Sequence, residues 1–442
     1  MKYYIASFGC QMNDNDSALI AAGLEQYGHQ EEAQLSQADI IIVNTCCVRQ
    51  NAENKAWGLI NSLKPLKKAN PGLIIAVCGC MIQKQSDQAI LRKQLPHVDI
   101  ICGTFSNLNI PGIIEQADFH HNKLIDISEK PREECGYNIG SKALGSYKAA
   151  VTIIHGCNNY CSYCIVPYVR GREKSRQPQD ILAEIIALRD NGCKEIMLLG
   201  QNVNSYGHDL DHGSSSFGQL LQQVDAIDGI ERIRYMTSHP RDFDHELVDI
   251  IASCKHICHH FHLPLQSGSD RILKLMNRGY SSAYYLDLLD YIRAKCKDAV
   301  ITTDILVGFP GESDNDFADC LSMISKCQFD AAYTFIYSPR QGTPAATMEN
   351  QIDESVKKQR LQMLMELQNE ISFKLNQQMI GKNYPILYEG PSKNNPALAQ
   401  GRSDGNKIVI FEPDAILNIG DIIDITITDA KTWNLYGKIV KK

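Results

Sequence analysis

Four short apolar runs open the chain, at 2–8, 39–44, 73–77 and 98–101, each rich in β-branched or aromatic residues and each closing at a Gly or Cys. Between them apolar positions recur at helical spacing, for example over 14–27 and 52–68. Apolar strands alternating with amphipathic helices predict an open parallel α/β sheet for residues 1–128. The polar stretch 129–146, with Pro131, Gly136, Gly140 and Gly145, reads as a linker.

From 147 the rhythm resumes with more units. Strands are predicted at 149–155, 195–200, 232–238, 260–265, 299–307 and 331–337, with helical patterns such as 178–190 in the gaps. Six β/α units in a row predict a partial (β/α)6 TIM-like barrel within 147–380 rather than a flat sheet. A long helix over 354–379, with Leu361, Leu364, Leu367, Ile371 and Leu375 on one face, closes this segment as a packing element. After Gly381 short strands at 384–388, 407–411, 422–427 and 435–440 predict a small C-terminal all-β barrel or sandwich over 381–442. The fold class is therefore α/β with three domains.

Composition and charge sharpen this picture. At 442 residues the chain exceeds one ordinary core, which agrees with several domains. No apolar run approaches membrane-spanning length and no apolar leader precedes residue 10, so a cytoplasmic protein with no membrane partner is expected. Sixteen cysteines in a large chain of this kind suit reduced thiols for metal or redox chemistry better than a disulfide framework. Cys193, Cys254, Cys296, Cys320 and Cys327 lie in apolar patterns and read as small buried hydrophobes. The net charge of −7 argues against nucleic-acid binding by bulk electrostatics, and leaves room for a local basic strip. The last domain, with eight Lys and Arg against seven Asp and Glu, adds little by charge.

The segment from His155 to Arg172, HGCNNYCSYCIVPYVRGR, spaces Cys157, Cys161 and Cys164 as C-x3-C-x2-C. It begins where the first barrel strand ends, the end at which such barrels place their chemistry. Three thiolates on one compact loop suit three corners of a cubane 4Fe–4S cluster, whereas structural zinc wants four ligands. His155 as a fourth zinc ligand is the competing reading, but it lies on the strand itself. A cluster one ligand short has an open iron, able to chelate S-adenosylmethionine and pass an electron to its sulfonium.

With that spacing after the first barrel strand, the chain resembles the radical S-adenosylmethionine superfamily. The resemblance implies that Tyr163 lies against the adenine of the cofactor. It also implies cofactor contacts at three strand ends: Gly200, Gln201 and Asn202 after the second, Gln266 after the fourth, and Gly308 with Glu312 after the fifth.

Three further cysteines, Cys10, Cys46 and Cys80, follow the first three N-terminal strands. In an open parallel sheet the carboxyl ends of neighbouring strands converge on one crevice. Together with Gly9-Cys10-Gln11-Met12-Asn13, Asn44-Thr45-Cys46 and Gly79-Cys80, the chain resembles the radical S-adenosylmethionine methylthiotransferase family across its whole length. That resemblance implies a second, auxiliary 4Fe–4S cluster on Cys10, Cys46 and Cys80, and a terminal domain of the TRAM type. Cys47, Cys78 and Cys102 are extra to the pattern; Cys102 as a fourth ligand would close the open iron, and the reading keeps it outside the set.

The stretches from Cys164 to Arg172, 200–204, 237–243, 266–280 (QSGSDRILKLMNRGY) and 389–393 resemble the branch acting on N6-isopentenyladenosine. The implied reaction adds a methylthio group to C2 of that nucleoside at position 37 of tRNA. The alternatives are threonylcarbamoyladenosine in tRNA and an aspartate of a ribosomal protein. Implied partners are tRNA, an electron donor protein such as flavodoxin or ferredoxin, and a sulfur donor that repairs the auxiliary cluster. Arg170 and Arg172, with Lys174 and Arg176, and further along Arg241 and Arg340, are candidates for tRNA backbone contact or for binding the cofactor carboxylate. Trp433 and Tyr436 are candidates for stacking on bases or for packing the small domain.

Overall fold

The structure, a computed structural model, describes residues 1–48, 50–84, 88–116, 123–128, 145–210, 215–414 and 417–440. All but the last two residues of the expected linker fall outside the described residues. The chain divides into two compact units: Met1–Asn158 with Cys164–Gly192 and Leu199–Gln201, and Asn159–Tyr163 with Cys193–Leu198 and Asn202–Lys442.

The first unit contains a six-stranded parallel sheet in the order Gln30–Glu31, Lys2–Ser7, Ile40–Thr45, Ile74–Gly79, Ile100–Cys102 and Leu124–Asp126. Its central strands, IIIVNT and IIAVCG, are buried along their whole length, as a parallel sheet covered on both faces demands. Alternate side chains divide between two cores. Ile41, Val43, Ile75, Val77 and Ile101 meet Ile60, Leu63 and Leu91 on one face. Ile40, Ile42, Ile74, Ala76 and Ile100 meet Ile20 and Leu24 of helix Gln11–Gln26 on the other. The helix expected over 52–68 is two, Gln50–Ser62 and Lys64–Ala69. Pro65 has no N–H to donate and sits in the first turn of the second, so the chain restarts there.

The chain runs from Lys2–Ser7 to one sheet edge and then returns to Ile40–Thr45 on the other side of the first strand. The gap outside these two carboxyl ends is a topological switch point, where open α/β sheets bind ligands. Cys10 and Cys46 follow these two strands.

In the second unit, Glu195–Leu199 pairs in parallel with Arg232–Tyr235, and a bridge from Ile233 to Ile257 continues the ladder. His260–His262, Val300–Val307 and Ala331–Ile336 form a second parallel set. Helices Phe217–Asp225, His245–Ser253, Ser282–Lys295 and Asp314–Cys327 separate these strands, each opened by a Ser or Asp whose side chain accepts a backbone N–H. Helix Glu354–Gln377 buries Leu364 and Ile371 as expected, but also Lys357, Arg360, Gln368, Ser372 and Asn376. These polar groups have work inside the fold: Gln368 donates to the Phe329 carbonyl at 2.8 Å and Asn376 to that of Lys431 at 2.9 Å.

Residues from Asn383 to Ile439 close a five-stranded barrel around Ile386, Val409, Phe411, Ile425, Ile427 and Leu435. Strand Ala399–Arg402 was not expected; AQGR carries too few apolar residues to be read as a strand, and closure of the ring makes it one. Arg232 and Arg234 reach from their barrel strand to this domain, donating to the carbonyls of Pro385, Arg402, Ser403 and Asp404. Arg234 also pairs with Glu195 at 2.9 Å, both almost fully buried. Arg234→Met strands that carboxylate, at a cost of about 3–5 kcal/mol. A lowered midpoint of urea unfolding is the expected result.

Among the described residues no helix is long and apolar enough to cross a membrane.

Candidate active site

Cys10, Cys46 and Cys80 each stand at the carboxyl end of a strand of the first unit. Cys10 is the cap residue of helix Gln11–Gln26, Cys46 follows Ile40–Thr45, and Cys80 begins helix Cys80–Lys84. Two glycines let their turns approach. At Gly9 (φ +127°) a Cβ would lie 2.4 Å from Cys46 Cβ and 2.8 Å from its Sγ; at Gly79 (φ +96°) it would lie 2.4 Å from the Thr45 carbonyl oxygen.

Buried amides then staple the turns together. Asn13 Nδ2 donates to the carbonyls of Phe8 (3.0 Å) and Thr45 (2.9 Å). Asn44 Nδ2 donates to the Asn13 carbonyl (2.9 Å), and the Thr45 hydroxyl donates to the Cys78 carbonyl (2.6 Å). The backbone N–H of Val48 donates to Cys46 Sγ at 3.3 Å.

Electrostatics differ between Cys80 and Cys10. The Cys80 thiol is drawn down to about 6, first by a hydrogen bond with Cys47, with the Arg170 guanidinium also favouring the thiolate. Burial pushes the Cys10 thiol up. Burial also pulls His155 down to about 4, so its imidazole is neutral at physiological pH. Cys78 and Cys102 pack on the sheet among Ile20, Leu24 and Ile110, in an apolar environment that suits structural thiols. Cys47 packs with Cys80, Ile165 and Val169.

Arg170 corrects an expectation. A tRNA-contacting arginine must face solvent, whereas Arg170 is buried in the first unit, paired with Asp16 at 2.9 Å and bonded to Asn13 Oδ1 at 3.0 Å. Arg176 is likewise buried, on Glu184 and the Thr152 carbonyl. Arg172 and Lys174 are exposed.

The triplet is divided between the units: Cys157 and Cys164 belong to the first and Cys161 to the second. The N–H of Cys157 donates to the Gly171 carbonyl at 3.1 Å, and the N–H of Gly156 donates to Gln201 Oε1. In the second unit, Arg278 donates to Cys161 Sγ (3.4 Å), to the hydroxyls of Tyr163 (3.5 Å) and Tyr280 (3.1 Å), and to the Pro264 carbonyl (2.8 Å). Tyr163 packs beside Ile272, Met276, Phe309 and Tyr337. Among the described residues no three His, Cys, Asp or Glu side chains are arranged around a single ion; a cubane instead spreads its thiolates over separate irons.

Other barrel-end residues are placed as follows. Gln266 and Thr237 both adopt left-handed backbone conformations, φ +68° and +66°, at the ends of their strands. For residues other than Gly this is local strain held by the surroundings. Gln266 is fixed by bonds from its N–H to the Asp304 carbonyl and from the Leu306 N–H to its own carbonyl. Asn202 Nδ2 donates to Asp242 at 2.8 Å, while its Oδ1 is buried with no partner. The carboxylate of Glu312 accepts from the Gly308 N–H and pairs with Arg360 at 2.7 Å, so it holds the Gly308 turn rather than reaching out of it. Arg340 is buried, which removes it from the candidates for a solvent-facing tRNA contact. Arg241 is exposed, with Asp242 and Asn159 as partners. Trp433 is exposed and so is no part of the core of the small barrel.

His239 and Tyr337 were not singled out from sequence. Burial, then the charges of Arg278 and Arg241, lower His239 to about 2 and keep it neutral. Its Nδ1 accepts from the Arg241 N–H at 3.3 Å, which puts the proton on Nε2, a buried atom with no partner. The Tyr337 hydroxyl is buried and unpartnered too. The visible signal was their place at strand ends.

Comparison with known proteins places this arrangement. Residues 151–324 match the radical SAM superfamily, residues 2–103 the uncharacterized protein family UPF0004, and residues 377–440 the TRAM domain. The chain is 47% identical over 439 residues to the tRNA-2-methylthio-N(6)-dimethylallyladenosine synthase of Acetivibrio thermocellus, covering 99% of this chain and 91% of that one. It is 48% identical to the enzyme of the same name from Desulfitobacterium hafniense, covering 99% and 97%. Its fold is similar to that of a radical S-adenosylmethionine methyltransferase, TsrM, from Kitasatospora setae, with a TM-score of 0.55 at 12% identity, covering 88% of this chain and 79% of that one. Fold and motif thus define a radical S-adenosylmethionine enzyme with a C-terminal TRAM domain, and the superfamily brings a 4Fe–4S cluster and S-adenosylmethionine as its cofactors. The chain belongs to the family of tRNA-2-methylthio-N(6)-dimethylallyladenosine synthases.

Proposed function

We propose that this enzyme replaces the C2 hydrogen of N6-isopentenyladenosine, at position 37 of tRNA, with a methylthio group. The observation that carries the sulfur-inserting part is the stapling of Cys10, Cys46 and Cys80 at three adjacent strand ends of a chain that also carries the triplet. In this reading Cys157, Cys161 and Cys164 hold the radical cluster, and Cys10, Cys46 and Cys80 hold an auxiliary one. The three segments 1–128, 147–380 and 381–442 then serve as auxiliary-cluster domain, radical domain and TRAM-type tRNA-binding domain.

The clusters and S-adenosylmethionine supply the one-electron chemistry, the sulfur and the methyl group. The protein's share is placement. Tyr163 is the residue that would hold the cofactor adenine, and Gly200, Gln201, Asn202, Gln266 and Gly308 those that would hold its polar parts. Glu312 supports this set by holding the Gly308 N–H. The exposed Arg172, Lys174, Arg241 and Trp433 are the groups available to tRNA. An electron donor such as flavodoxin or ferredoxin and a sulfur donor that rebuilds the auxiliary cluster complete the cycle, which belongs in the cytoplasm where tRNA is modified.

Gly9 gives a test of the auxiliary site. A methyl group there meets Cys46 Cβ and Sγ at well under contact distance, so Gly9→Ala is expected to displace Cys46 and lower the iron retained after anaerobic reconstitution. The substrate is tested by nucleoside mass spectrometry of tRNA from a deletion strain. Loss of 2-methylthio-N6-isopentenyladenosine with accumulation of N6-isopentenyladenosine is expected. Loss of a methylthio-threonylcarbamoyl nucleoside instead would reassign the substrate.

A further inference from the structure

Arg170 belongs to the stretch that follows the radical triplet, yet its partners are those of the N-terminal thiols. Its side chain is 7% exposed and that of Asp16 is 4%, and the two pair at 2.9 Å. The guanidinium also donates to Asn13 Oδ1 at 3.0 Å, and its positive charge favours the thiolate of Cys80. Asn13 is the amide that holds the chain just before Cys10 and just before Cys46. Through Asn13 and through its own charge, Arg170 therefore bears on all three cysteine turns.

The surrounding helix Val166–Arg170 is itself fixed at this place. Ile165 and Val169 pack on Cys47 and Cys80, and the Thr104 hydroxyl donates to the Val169 carbonyl. Asp16 balances the buried charge, so the remaining N–H groups are free to orient acceptors. Arginine suits the task because its fork is rigid and always charged; lysine carries the charge but cannot address several acceptors in one plane.

We propose that Arg170 is a positioning residue of the auxiliary centre, which orients Asn13 and holds a positive charge near the turn of Cys80. This rests on the reading of Cys10, Cys46 and Cys80 as ligands of an auxiliary cluster. A fixed positive charge near a cluster stabilises the extra electron of its reduced form and raises its reduction potential. The segment next to the radical triplet is thereby built into the sulfur-inserting site as well.

The test uses the full chain with Cys157, Cys161 and Cys164 all replaced by Ala, so that the auxiliary centre is studied alone. Anaerobic reconstitution, iron and sulfide content, and a reductive titration followed by electron paramagnetic resonance are compared before and after adding D16N/R170M. That double variant removes both buried charges together and leaves neither stranded. The background protein is expected to hold about four irons. With D16N/R170M the midpoint should lie at lower potential than with D16N alone, and D16N/R170K should recover part of that loss. Loss of iron in D16N/R170M, with D16N still loaded and the far-ultraviolet circular dichroism unchanged, supports the same role. A fully loaded D16N/R170M protein with the midpoint of D16N overturns the assignment of Arg170 alone. A background protein that holds no cluster overturns the auxiliary-centre reading, and this assignment with it.

Discussion

Cys157→Ala is expected to abolish cleavage of S-adenosylmethionine by the reduced, reconstituted enzyme, with 5′-deoxyadenosine falling by more than about 100-fold. Loss of an outer-shell partner of a metal ligand costs roughly 10–100-fold, and removal of a ligand itself should exceed that. The backbone around Cys157 does not depend on its sulfur: its N–H is held by the Gly171 carbonyl, and Gly156 by Gln201. The loop should keep its shape, so the defect reports the missing thiolate. Iron content should fall only by the share of one cluster, which distinguishes this result from general unfolding.

The second large effect divides the two centres. Cys46→Ala should still cleave S-adenosylmethionine but form no methylthio product. Cys46 lies in the sheet domain, and its turn is fixed by Asn13, Asn44 and Thr45, none of which belongs to the triplet segment. Comparing 5′-deoxyadenosine with methylthiolated nucleoside in one reaction reads both functions at once. Equal loss of the two in Cys46→Ala would argue against separate roles for the two sets of cysteines.

Much of this was legible in the sequence because its signals are local. The strands of the sheet are runs of Ile and Val, and the helix from Pro178 to Asp190 was read at its observed limits. The thiol pattern was legible because strand ends and cysteines coincide. What escaped depends on distant partners. Arg170 looked like a surface cation in a basic strip, and only folding brings it to Asp16 and Asn13, 154 and 157 residues away. Glu312 was expected to contact the cofactor after the fifth strand, but Arg360 of the long helix pairs with it. The same helix shows why an apolar face underestimates burial: Arg360 and Gln368 are inside because strand ends and loops offer them acceptors. His239 gave no signal beyond its position, since a neutral, buried imidazole is a property of the finished fold.

One chain is expected both to generate the radical and to insert sulfur into isopentenylated tRNA. The most direct test incubates the anaerobically reconstituted enzyme with S-adenosylmethionine, a low-potential reductant and tRNA bearing N6-isopentenyladenosine, with nucleosides analysed by mass spectrometry. The predicted result is 2-methylthio-N6-isopentenyladenosine together with 5′-deoxyadenosine, and no conversion of tRNA bearing threonylcarbamoyladenosine. Formation of 5′-deoxyadenosine with N6-isopentenyladenosine left unmodified, by protein carrying both clusters, would contradict it.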